Sequence, residues 1–118
     1  MRTLVIHAPG YHARIKGRRS FKDVLDTGVG TAYALNDTIV EQVFPASKTR
    51  RGWRVVLLCK EGNGSRAEGT LVRLEPATKD GRPSFTRSRI RRYNVYVKDF
   101  TVVPYKPEAL NKNGVAVI

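Results

Sequence analysis

The chain has 118 residues, enough for one compact domain and too few for two independent cores. Its 22 lysines and arginines against 10 acidic residues give a formal net charge of +12, while 41% of the residues are hydrophobic. That apolar share excludes wholesale disorder, and the charge directs attention to polyanionic partners. Cys59 is the single cysteine, which excludes an internal disulfide and a multi-cysteine zinc site.

Residues 3–8 contain Leu4, Val5 and Ile6, a short strand pattern ended by Pro9 and Gly10. The apolar stretch is too short for a signal-peptide core or a membrane span, so a cytoplasmic protein with no membrane partner is expected. Arg14, Lys16, Arg18 and Arg19 follow without apolar periodicity and form a basic loop. Ser20 with Asp23 three residues on is a helix start, and Phe21, Val24 and Leu25 share one face before Gly28 and Gly30 break the helix. The stretch Gly28, Val29, Gly30, Thr31 resembles part of a phosphate-binding loop. It lacks the Gly-Lys-Ser/Thr ending and a preceding strand, so a tight turn is expected. Asn36 is placed to cap a second helix, in which Ile39, Val40, Val43 and Phe44 recur at helical spacing and which Pro45 closes, with a strand as the weaker alternative.

From Trp53 the pattern turns to β. Residues 53–59 and 66–74, joined by the Gly-rich residues 61–65, read as a hairpin. The continuous run Val55, Val56, Leu57, Leu58 predicts a strand buried on both faces, with Cys59 an inert buried thiol in a reducing compartment. In the second arm Ala67, Gly69, Leu71 and Arg73 fall on one face and Glu68, Thr70, Val72 and Leu74 on the other, an imperfect alternation. Residues 90–97 and 100–103 are two further strands or one long bent strand. Residues 107–110 suggest a helical turn, and Val115, Val117 and Ile118 suggest an edge strand. The whole predicts a single α+β, β-rich domain over residues 1–118: a small curved sheet or β-barrel with one or two short helices in its N-terminal half.

The segment Arg51, Gly52, Trp53, Arg54, then Val55 to Lys60, with Ala67, Glu68, Gly69, Thr70 and Leu71 after the turn, resembles the core hairpin of PUA-like domains, the superfamily of ASCH and EVE domains. The resemblance spans about residues 51–105. Many members carry an acidic residue where this chain has Trp53. The resemblance implies an RNA-binding or modified-base-reading module.

The basic clusters carry the functional expectation. Arg87, Arg89 and Arg91, on a strand, would line one face while Arg92 projects to the other. Arg14, Lys16, Arg18 and Arg19 supply a second cluster, and Lys48, Arg50 and Arg51 a third. Arginine suits phosphate because its planar guanidinium presents parallel donors. The competing reading is a solvated edge that deters aggregation. Among the aromatics Tyr11, Tyr33, Trp53, Tyr93 and Tyr96, the candidates for base contact are Tyr11 first and then Tyr93 or Trp53, although Trp53, at the start of a buried strand, reads more readily as packing. Tyr93 and Tyr96 have opposite parity on a strand.

The expectation is a non-catalytic nucleic-acid-binding module, for RNA or DNA, with no cofactor and no metal. Two alternatives remain: a small ribonuclease using His12 as base with Asp23 or Asp26 orienting it, and a module docking an acidic protein surface. His7 reads as a partly buried structural histidine, and the acidic residues lack the paired spacing of a two-metal nuclease.

Overall fold

A computed structural model describes residues 2–12, 19–49 and 53–118, with the side chains of residues 44–49 outside the description. The elements are β1 (Thr3–His7), α1 (Phe21–Thr27), β2 (Val29–Ala34), α2 (Asp37–Thr49), β3 (Arg54–Cys59), β4 (Ser65–Pro76), β5 (Thr78–Lys79), β6 (Arg82–Pro83), β7 (Arg92–Val103) and β8 (Val115–Val117). Six strands form one strongly curled half-barrel sheet in the order β2-β7-β4-β3-β1-β8, giving the expected β-rich α+β fold. The β1/β3 pair is parallel and the remaining pairs of this sheet are antiparallel.

Both helices pack on one face. Phe21 and Val24 from α1 and Ile39 and Val43 from α2 join Leu4, Ile6, Val55, Leu57, Leu71, Leu74, Val95 and Val97 in the main core. The opposite face of β1 and β3 presents Val5, Val56 and Leu58, which Tyr105, Leu110 and Ala116 cover. β3 is therefore buried on both faces, and Trp53 and Cys59 are core residues, as the apolar run implies. The covering segment, residues 104–114, contains no helical turn. It is drawn to the sheet by Arg66, whose guanidinium bonds Glu108 at 2.7 Å, Glu68 at 3.0 Å and the Lys106 carbonyl at 2.9 Å. Burial disfavours the Arg66 charge, and the bonds to Glu108 and Glu68 more than offset it, so the guanidinium holds its proton above its ordinary range.

The helix signals act as their chemistry requires. The Ser20 side chain accepts from the Asp23 N–H and Asn36 Oδ1 accepts from the Ile39 N–H, satisfying donors that each helix start leaves open. Gly28, at φ 73°, closes α1 in a left-handed cap. Two expectations fail here. Residues 28–31 are not a tight turn: after the Gly28 cap the chain enters β2 and pairs with β7. Pro45 does not close α2, which runs on to Thr49. A proline inside a helix removes one N–H at a cost of ~3 kcal/mol, which the packing of Ile39 and Val43 helps the helix to bear.

The curl comes from three bulges around β4 and β7. Between the Gly30/Val95 and Tyr33/Tyr93 pairs, Thr31 and Ala32 oppose Asn94 alone, and Ala32 sits at φ 62°. Asp99, at φ 57°, marks the extra residue of β7 opposite Gly69, so residues 92–103 are one bent strand. Val72 is the extra residue of β4, which puts Leu74 in the core and turns Arg73 to the other face, correcting the expected alternation. Each bulge adds local twist, which accumulates into the half-barrel.

Candidate nucleic-acid interface

Residues 77–91 leave the sheet between β4 and β7, and three backbone bonds tie the base of this excursion. The Ala77 N–H donates to the Arg92 carbonyl at 2.9 Å, the Ser84 N–H to the Ala77 carbonyl at 3.0 Å and the Arg92 N–H to the Ser84 carbonyl at 2.9 Å. Within it β5 and β6 make a small hairpin, and Phe85 bridges to Arg91. Beyond that bridge the Thr86 N–H donates to the Ile90 carbonyl, and the Arg89 N–H to the Thr86 carbonyl, closing a tight loop. Arg87 and Arg89 stand exposed at its tip, Arg89 at φ 63°.

This overturns the expected stripe. Arg87, Arg89 and Arg91 precede the strand, and a left-handed residue between two others destroys the period of two that would align them. Arg91 is half-buried, its Nε enclosed without a hydrogen-bond partner and its guanidinium 5.3 Å from the Phe85 ring centroid. Arg92 instead reaches β2, donating from Nη1 to the Ala32 carbonyl at 2.7 Å, while Asn94 Oδ1 accepts from the Ala32 N–H at 3.1 Å.

Where the excursion folds beside the β2 bulge lies a cleft of about 790 Å³, bordered by Arg19, Thr31, Ala32, Lys79, Ser84, Phe85, Arg92 and Asn94 among others. Among the described residues three cations line it, Arg19, Lys79 and Arg92, against one acid, Asp80. Arg19 reaches it from the start of α1, where its Nη1 donates to Thr27 Oγ1 at 3.0 Å. A guanidinium carries several N–H donors, so Arg19 and Arg92 keep others for an anion. A second hollow of about 500 Å³ adjoins it, sharing Lys79, Asp80, Ser84 and Phe85 and adding Arg82.

The other expected residues are dispersed. Arg14, Lys16, Arg18, Arg50 and Arg51 lie outside the described residues, as does the Lys48 side chain. Tyr11 is half-buried, with its ring stacked on Phe21 at 5.3 Å and its N–H donating to Glu61, so much of its face is already used in packing. Tyr93 packs against the core, Tyr33 is buried within it, and Tyr96 on the opposite face carries the Arg73 guanidinium 3.9 Å above its ring. His12 is exposed with its ring edge-on to Tyr11, and Asp26 pairs with Lys22 instead of His12. That pair raises the Lys22 pKa through its hydrogen bond and charge.

Phe85, Asn94 and Ser84 escape a reading of the sequence, because nothing in their spacing separates them from loop residues. The local signal was a lone aromatic within a run of arginines. Among the described residues no group of His, Cys, Asp and Glu is placed to hold a metal ion, and no helix is long and apolar enough to cross a membrane.

The fold and cleft define a small α+β protein with a curled sheet and a basic hollow at one sheet edge. Comparison with protein-family models, curated proteins and solved structures finds no match to the chain.

Proposed function

We propose that this protein binds nucleic acid without catalysing a reaction on it, using the cleft beside β2 as its principal contact. One observation carries the reading: Arg19, Lys79 and Arg92 come from three separate parts of the chain and converge on one concave surface. Scattered solubilising charge has no reason to converge in this way, whereas phosphates are bound by grouped Lys and Arg donors. The net charge of +12 supplies a long-range attraction for the same polymer. Arg82, Arg87 and Arg89 extend the basic surface along the excursion. The resemblance to PUA-like domains supports the same class of ligand, and the lone buried Cys59 supports a cytoplasmic setting.

Fluorescence anisotropy with labelled RNA and DNA over a salt series tests the reading. Binding whose logarithm falls linearly with log salt is expected. Failure to bind either polymer at low salt would overturn it and turn attention to an acidic protein surface.

A further inference from the structure

Four large hydrophobic side chains stand exposed among the described residues: Val72, Phe85, Val102 and Ile118. Phe85 alone is aromatic, it is 51% exposed, and it borders both hollows. An exposed ring contributes little to the core, and this one is held in place by the backbone bridge to Arg91 and by the Arg91 guanidinium against it. Lys79 and Arg92 lie around the same cleft, so a flat apolar surface and phosphate-binding charges are presented together.

We infer that Phe85 is a stacking platform for one unpaired base, and that the ligand of the cleft is therefore single-stranded nucleic acid. The inference rests on the proposed function and names its substrate class. A base offers a π-face whatever its identity, and an aromatic side chain beside a basic groove is how proteins hold single strands without reading sequence. The cleft, about 790 Å³, is large enough to admit a single base. A base still stacked in a duplex cannot enter such a hollow unless it is first flipped out, which costs free energy that a single strand does not spend. Ser84 adds a polar group to the same walls, as does Asn94, whose Oδ1 accepts from the Ala32 N–H.

The test compares a labelled single-stranded RNA, a single-stranded DNA and the matched duplex on the full chain, with Phe85→Ala and Phe85→Trp beside the wild type. Single strands bind more tightly than the duplex. Phe85→Ala weakens single-strand binding by roughly 5- to 140-fold, the ~1–3 kcal/mol of one stacked base, with the salt slope unchanged. Phe85→Trp restores it. Because Phe85 is exposed, melting of the alanine variant stays at the wild-type temperature. Equal or tighter duplex binding, or a Phe85→Ala variant that binds single strands as the wild type does, overturns the inference while leaving nucleic-acid binding intact. Absence of binding to all three polymers overturns both.

Discussion

Arg92 on β7 donates from Nη1 to the Ala32 carbonyl on β2 at 2.7 Å, and so holds an alanine in a left-handed conformation that its Cβ disfavours. Asn94, two residues along β7, takes the N–H of the same alanine. The β2 bulge is thus clamped at both backbone polar groups, and it forms one wall of the basic cleft. Strain maintained beside a concave basic surface is a sign of a built site.

Ala32→Gly removes the Cβ that makes φ 62° unfavourable, at some entropic cost in the unfolded chain, and is expected to stabilise the protein by up to ~1 kcal/mol. Asn94→Ala leaves the Ala32 N–H without its acceptor and is expected to destabilise by ~1–2 kcal/mol. Urea unfolding of both variants checks the pair of signs. A destabilising Ala32→Gly would mean the bulge is not under strain.

Gly28 is the opposite case, a left-handed residue that cannot carry a side chain. A Cβ there would lie 2.5 Å from the Val97 carbonyl oxygen, a main-chain atom whose strand is fixed by the bond from the Val97 N–H to the Gly28 carbonyl. Gly28→Ala is expected to cost at least ~2 kcal/mol, the left-handed penalty plus the displacement of β7 from β2. A neutral effect in thermal or urea unfolding would contradict the fitted junction between α1 and the sheet.

The segment over Val5, Val56 and Leu58 depends on Arg66, 8% exposed, and its partner Glu108. Glu108→Ala leaves a buried guanidinium with the Glu68 carboxylate and the Lys106 carbonyl and is expected to cost ~2–3 kcal/mol, while Glu108→Gln keeps an acceptor and costs less. Because the Arg66 pKa is raised, its contribution is complete below the ordinary guanidinium range and is lost only as pH rises above it. The charge on Arg66 therefore gives no loss of stability between neutral and mildly alkaline pH. A wild-type melting temperature that falls there in step with the Glu108→Ala variant's deficit would contradict this.

Local chemistry made much of the fold legible. Ser20 and Asn36 cap where cap chemistry requires, and the unbroken run Val55 to Leu58 gives a strand covered on both faces. Leu74 in the core, Arg73 outside it and the whole of β2 were obscured by bulges, since one extra residue reverses the face of everything after it. The site was less legible for the same reason. Arg87, Arg89 and Arg91 align only if the backbone is regular, and the positive φ of Arg89 puts them in a loop instead. Arg19 was readable as a basic residue, but its meeting with Lys79 and Arg92 depends on the long-range path of residues 77–91.

The salt dependence of single-stranded RNA binding by an Arg19→Ala/Lys79→Ala variant tests the central claim most directly. A Lys60→Ala/Lys112→Ala variant is the charge-matched control, since neither residue borders the cleft. Each phosphate contact with a single strand contributes ~0.7 to the slope of log affinity against log salt, so loss of both cleft cations lowers the slope by up to ~1.4. The account predicts that loss for the cleft variant and a near-wild-type slope for the control. Equal slopes and affinities in the two variants, or a wild type that binds neither RNA nor DNA at low salt, would contradict it.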